Sequence, residues 1–181
     1  MSPRMDQQPA RTRMINAAID LFHRFGVNAT SVDQLLEKSG TGKGQFTHYF
    51  KNKDGLVKAS IGYLSDLIQS GNVPTVYQVL TWSEMDRWFQ SFIDFQKSVD
   101  CERSCPIGTI GNDISNEQQE LREEIIKFLD WSRSELGRFF KEKKLSGELA
   151  TNAQPEGIAD LCISVMQGGM LLSNESRYQS F

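Results

Sequence analysis

Apolar residues recur at i, i+3, i+4 and i+7 in almost every patterned stretch of this chain, and nowhere do they alternate over a convincing run. That spacing gathers them on one side of a helix, so an all-α fold is the direct reading. At 181 residues the chain suits one domain or two small ones. A length near this buries about 70% of the surface of the unfolded chain, so no disulfide framework is needed. With 39% apolar and 24% charged residues, 14 Gly and 5 Pro, the composition is globular rather than disordered or fibrous. The longest nearly apolar run, Leu161 to Leu172, includes Ser164, Gln167 and two glycines. It falls short of the roughly 20 residues that a bilayer requires, so no membrane span is expected. The first ten residues hold no apolar stretch behind Arg4, hence no signal peptide, and a reducing, cytoplasmic location is expected.

The pattern divides the chain into a flexible arm at residues 1–11, a compact head at 12–56 and a larger helical body at 57–181. The first helix is expected from Thr12 to Phe25, with Ile15, Ala18, Ile19, Phe22 and Phe25 on its inner face and Gly26 ending it. Thr30 is placed to cap a second, with Asp33 three positions on, and Ser39-Gly40 stops it. A third runs from about Gly42 to Phe50, and Asn52 can cap a fourth carrying Leu56, Ala59, Tyr63, Leu64 and Leu67. In the body, Met85, Trp88, Phe89, Phe92 and Phe95 share one helical face. Leu121, Ile125, Phe128, Leu129, Leu136 and Phe140 share another, with Ser115-Asn116 as its cap. The last helix opens at Pro155 and carries Ile158, Leu161, Cys162, Val165, Met166, Gly169 and Leu172 on one side.

The net charge of −3 conceals a split. Residues 1–60 hold nine Lys/Arg against five Asp/Glu and the remainder eleven against eighteen, a basic front on an acidic rear. Such an asymmetry points the front end toward a polyanion. Three short helices with the turn Ser39-Gly40-Thr41-Gly42 before the third also fit a helix-turn-helix. In the third helix Phe46 and Phe50, four apart, can anchor it, leaving Lys43, Gly44, Gln45, Thr47 and His48 outward. Gln can pair bidentately with adenine, a Thr methyl can meet a thymine methyl, and Lys can reach guanine or phosphate. Gly44 lets the helix backbone approach the groove. Tyr49, Lys53 and the helix start at Thr30-Ser31 suit phosphates.

Residues 12–60 resemble the tetracycline-repressor (TetR) family of transcriptional regulators. The resemblance rests on Ala17-Ala18-Ile19-Asp20-Leu21-Phe22, Phe25-Gly26, Ala29-Thr30-Ser31-Val32, Lys43-Gly44 and His48-Tyr49-Phe50-Lys51-Asn52-Lys53-Asp54-Gly55-Leu56. It departs from the common pattern at Gly42, where Ser is frequent, at Thr41, and at Gln45 and Thr47, where Thr and Tyr are frequent. The resemblance implies a homodimer on a near-palindromic double-stranded operator, released by a small-molecule inducer bound in the body. Cys105-Pro106-Ile107-Gly108 and Gln167-Gly168-Gly169-Met170-Leu171-Leu172 look like segments of such bodies. Family members pair through their last two helices, yet only Ser173 to Phe181 follow the Gly168-Gly169 helix. An apolar or aromatic inducer is expected among Phe92, Phe95, Cys105, Ile110, Trp131, Met166 and Met170, with Gln96 and Asn112 as polar candidates.

Two other classes compete. Cys101 and Cys105, four apart, allow a thiol sensor centred on Cys105, against the plainer reading of packed thiols; Cys162 sits on a core stripe. Gly40, Gly42 and Gly44 around Lys43 suggest a nucleotide-binding enzyme, but a dinucleotide fingerprint needs glycine where Gln45 stands, and a P-loop needs Gly-Lys-Ser/Thr after a strand. With only His23 and His48 as histidines, no catalytic base, metal site or cofactor is expected.

Overall fold

The computed structural model describes residues 8–73, 75 and 77–176, with the side chains of 174–176 left aside. These residues form eight helices and no strand: α1 (Ala10–Phe25), α2 (Val32–Ser39), α3 (Lys43–Phe50), α4 (Lys53–Gln69), α5 (Trp82–Ser98), α6 (Pro106–Asp113), α7 (Gln119–Leu145) and α8 (Pro155–Ser176). Most of the arm expected at 1–11 lies outside the described residues, but Ala10 and Arg11 are already helical.

The described chain separates into two compact units. One contains the residues up to Leu64 together with Pro106–Ile125; the other contains Ser65–Cys105 and the residues from Ile126 onward. The head therefore reaches beyond 12–56 and recruits a distant segment. Its core explains why: Ile110, Ile114 and Leu121 are buried in one cluster with Met14, Phe22, Leu35, Leu56 and Ile61. A three-helix head of this size has too little apolar area to bury by itself, and the returning segment supplies more. Polar contacts also secure it. The Asp113 carboxylate accepts the Asn28 N–H at 3.2 Å, and Lys58 Nζ meets Glu120 Oε2 at 3.1 Å.

Within the head, Gly26 ends α1 in a positive-φ conformation (80°). A Cβ there would lie 2.5 Å from Asp113 Oδ2, so the loop needs glycine both for its backbone and for its neighbour. The capping expectation is corrected: Ser31, not Thr30, is the N-cap of α2, and its box partner is Gln34, not Asp33. Gln34 N–H donates to Ser31 Oγ at 3.2 Å and Ser31 N–H to Gln34 Oε1 at 2.8 Å. Thr30 is instead turned inward, its hydroxyl donating to the Gly26 carbonyl at 2.8 Å. Asp20 ties α1 to α2 through Lys38 at 2.7 Å. Partial burial raises its pKa, but hydrogen bonds and charge from Lys38 and Arg24 outweigh that and hold the carboxyl below its ordinary range.

The second unit centres on Trp88, with Tyr77 edge-on at 6.1 Å and Phe92 at 4.8 Å. Several sequence expectations change. α7 starts at Gln119, and Ser115 N–H caps back to Gln118 Oε1, so Ser115-Asn116 is a turn rather than the helix cap. α6 was not expected, although Pro106 at its first turn is a recognised start signal. Phe25, on the inner stripe by periodicity, is 61% exposed, and Leu129 is 37% exposed. The α8 stripe is the largest departure: Leu161 (62%), Val165 (56%) and Leu172 (65%) face solvent in the single chain, while Ala159, Met166 and Met170 face in.

Candidate nucleic-acid interface and ligand cavity

The third helix is a lever fixed at its back. Phe46 (6%) and Phe50 (5%) are buried in the head core with ring centroids 5.9 Å apart. Spacing four apart puts both on one side, which forces Lys43, Gly44, Gln45, Thr47, His48 and Tyr49 outward, and all six are exposed. The turn before it is held by a residue that sequence reasoning missed. Arg13 of α1 donates through Nε to the Ser39 carbonyl (3.0 Å) and through Nη2 to the Gly40 carbonyl (3.2 Å). One guanidinium thus captures the carbonyls at the end of α2 and orients the turn. Gly40 adopts the left-handed conformation there (φ 60°) and Gly42 is the N-cap of α3. At the far end, Asn52 Oδ1 accepts the Gly55 N–H at 2.9 Å, as expected of the cap of α4.

The exposed groups make only weak contacts of their own. Lys43 Nζ lies 3.2 Å from Asp33 Oδ1, with both side chains more than three-quarters exposed. An ion pair so wet is readily exchanged for a phosphate. Gln45 Oε1 accepts the Gly42 N–H at 3.2 Å, capping its own helix. His48 and Tyr49 stand edge to face at 5.0 Å. Ser31 is exposed at the α2 start and Lys53 half-buried at the α4 start. Thr30 alone among the expected contact residues is withdrawn: it is 2% exposed with its hydroxyl committed to Gly26. A Cβ on Gly44 would meet nothing within 4 Å, so the notch it leaves on the helix surface is open.

These features, a buried aromatic anchor, a clamped turn and an exposed polar helix face, coincide with a family signature. Residues 14–60 match the model of bacterial regulatory proteins of the tetR family. The chain carries the tetR-family DNA-binding region over residues 14–60. It is a DNA-binding transcriptional regulator with a helix-turn-helix head and a larger helical body. The transcriptional regulator AcuR of Cereibacter sphaeroides is 22% identical over 174 residues, covering 92% of this chain and 77% of that protein. A match to the regulator BetI of Klebsiella pneumoniae, 33% identical over 60 residues, covers 33% of this chain and 31% of BetI. The fold of the regulatory protein TetR from Rhodobacter sphaeroides superposes with a TM-score of 0.76 at 20% identity, over 92% of this chain and 89% of that one.

The second unit of the regulator holds a cavity of about 100 Å³ between two helices. Phe89, Phe92, Ile93 and Gln96 of α5 face Val165, Met166, Gly169 and Met170 of α8. Of the residues expected to bind ligand, Phe92, Met166, Met170 and the polar candidate Gln96 line it. The others do not. Ile110, 1% exposed, belongs to the head core, because α6 returns to that unit. Trp131, half-buried, packs tilted against Tyr77 at 5.0 Å and Phe128 at 5.9 Å at the edge of the aromatic cluster. Phe95 is half-buried on α5, and Cys105 is half-buried with its Sγ accepting from Gln167 Nε2 at 3.4 Å. Asn112 is exposed on α6. Cys101 is buried, and Cys162 is only half-buried, its thiol pushed up by desolvation.

Among the described residues no group of three metal-ligating side chains is assembled and no helix is long and apolar enough to cross a membrane.

Proposed function

We propose that the regulator is a dimeric repressor whose two α3 helices enter successive major grooves of a near-palindromic operator. The supporting observation is the exposed face Lys43-Gly44-Gln45-Thr47-His48-Tyr49 on a helix pinned by two buried phenylalanines. Two-fold protein symmetry would match two-fold DNA symmetry, with half-sites about one helical turn apart. Lys43 and Lys53 would meet phosphates, joined by Ser31 and Tyr49, while Gln45, Thr47 and His48 would face base edges. Thr30 would act only by shaping the loop.

Anisotropy titration of a labelled promoter duplex tests this reading. Binding should fall steeply with salt, and Lys43→Ala should weaken it while lowering the slope of log affinity against log salt by about two, near one per subunit. Equal affinity for promoter and random duplex would sink it.

A small molecule in the cavity would act as inducer. The chain passes between the two units at three points, of which two lie inside α4 and α7, so either helix can convey a shift to the head. The usual scale of such coupling is about 1–3 kcal/mol, and it is reciprocal: saturating operator must weaken inducer binding by the same factor.

The contact of Gln167 with Cys105 favours a second reading, a thiol sensor. Gln167 Nε2 donates to Cys105 Sγ at 3.4 Å, so the sulfur has a polar neighbour on α8. In that case N-ethylmaleimide should release operator from the parent protein and not from Cys105→Ser, which should bind DNA normally; an unchanged response in Cys105→Ser eliminates the sensor.

A further inference from the structure

Between Arg11 and Lys58 the chain carries eight Lys and Arg, and most of them are engaged. Arg13 is held by the carbonyls of Ser39 and Gly40, Arg24 and Lys38 by Asp20, Lys43 by Asp33 and Lys58 by Glu120. Among the described residues, Arg11, Lys51 and Lys53 meet no carboxylate. These three gather around Phe50, the last residue of α3. Lys51 and Lys53 follow it in the chain, and the Arg11 guanidinium lies 5.8 Å from the centre of its ring. Arg11 and Lys51 are both exposed. Contact with a ring takes up little of the hydrogen-bonding capacity of a guanidinium, so its N–H donors stay open in the fork that fits two phosphate oxygens.

Lys51 is also held where a lysine is ill at ease. Its φ is 65° and its ψ −54°, and the Asn52 N–H donates back to the Phe50 carbonyl at 2.8 Å, a γ-turn of the rare, strained hand. Glycine would take up that backbone without the penalty of a Cβ. The Asn52 cap and the burial of Phe50 and Leu56 on either side keep the turn in place. A costlier residue at such a point marks a side chain needed for something other than folding.

We infer that Arg11 and Lys51 are a second phosphate-contacting pair, gripping the DNA backbone at the exit of α3 as Lys43 does at its entrance. This rests on the operator-binding reading above and extends it to residues outside the recognition helix. Eight residues of helix measure about 12 Å, close to the width of the major groove, so the two ends of α3 approach the two backbones that border the groove. Gln45, Thr47 and His48 lie between them. Phosphates carry no sequence information, so the pair sets affinity and register and leaves base preference to the helix face.

Anisotropy titrations over a range of salt, with a promoter duplex and a duplex of random sequence, test the pair. Lys51→Gly should raise the melting temperature by about 3 °C as the strain is relieved. It should nonetheless lower DNA affinity about tenfold per bound subunit near ~0.1 M salt and reduce the slope of log affinity against log salt by about one per subunit. Arg11→Gln, which removes the charge, should lose the same slope, and Arg11→Lys should keep it. Lys141→Ala, at an exposed lysine of α7 in the second unit, should bind like the parent. Parent slopes in both Lys51→Gly and Arg11→Gln would overturn the assignment, because the strained backbone would then serve the turn alone. A loss as large in Lys141→Ala would overturn it too, since net charge rather than contact would govern affinity. If Lys51→Gly fails to fold, Lys51→Asn, which also tolerates positive φ, takes its place. Failure of the operator reading looks different: the parent would bind promoter and random duplex equally, and the slope losses would still be seen on both.

Discussion

The double variant Leu161→Arg/Leu172→Arg should sediment at the mass of one 20.5 kDa chain and lose at least a hundredfold in operator affinity, with its helicity intact. The two leucines are 62% and 65% exposed and, with Val165 between them, form one stripe along α8. Periodicity assigns that stripe to a core, and within one chain it has none. On the proposed reading, in which the regulator grips two half-sites, an apolar stripe is best explained by a second copy of the chain, related by a two-fold axis. Each arginine would then be buried without a counter-charge, and symmetry doubles the damage to four such groups. Breaking up a buried pairing in this way costs about 3–5 kcal/mol per uncompensated charge, enough to separate subunits. Loss of the dimer removes the effective concentration that makes the second half-site easy to bind, a factor of about 10²–10⁴. The single chain should be almost indifferent, since exposed positions usually change stability by no more than about 0.5 kcal/mol. Sedimentation at the parent's dimer mass would place the interface elsewhere.

What the sequence discloses and what it withholds separate along physical lines. Signals carried within one turn of helix are legible: Phe46 and Phe50 four apart, Gly26 and Gly40 after helix ends, Asn52 three before the N–H it caps, Pro155 at a first turn. The exposed face of α3 is built almost wholly from such signals, so which of its residues point outward could be read from spacing. Thr30 shows the limit. Thr and Ser are adjacent and either can cap; the choice of Ser31 follows once the Thr30 hydroxyl has found the Gly26 carbonyl, a loop contact that no spacing rule encodes. Arg13 was invisible for the same reason, since its partners Ser39 and Gly40 lie 26 and 27 residues away. Ile110 was assigned to the wrong place because chain order puts it in the body while packing returns α6 to the head. The α8 stripe was placed inside because periodicity reports only that a face is apolar and not what covers it. Trp131 and Phe92 looked alike in sequence; only the structure separates an aromatic that packs on Tyr77 and Phe128 from one that borders a cavity.

Two glycines, one inside α3 and one in the first turn of α4, should respond to the same substitution with melting-temperature changes of opposite sign. Gly44→Ala should raise the melting temperature and weaken operator binding; Gly55→Ala should lower the melting temperature by on the order of 5 °C and weaken binding as well. At Gly44 a Cβ has nothing within 4 Å, so the isolated head gains the helix propensity of alanine, about 1 kcal/mol on an exposed position. The cost appears only on DNA, where a methyl would occupy the notch through which the backbone nears the groove. At Gly55 a Cβ would overlap the Phe50 carbonyl oxygen, the backbone at the end of α3. Backbone cannot rotate out of the way as a side chain can. The first turn of α4 must then move off α3, against the Asn52 cap and against the burial of Phe50 and Leu56. Overpacking of that kind costs about 1–3 kcal/mol, which in a protein of this size corresponds to several degrees. It also re-aims α3, because Phe50 is both the last residue of the recognition helix and one of its two anchors. Thermal melts and anisotropy on the same samples separate the two effects. A Gly44→Ala protein that binds the operator like the parent would mean that α3 does not lie close to the groove at that residue. An unchanged melt for Gly55→Ala would mean that the joint between α3 and α4 yields freely, and the recognition helix would then be far less rigidly held than its buried phenylalanines imply.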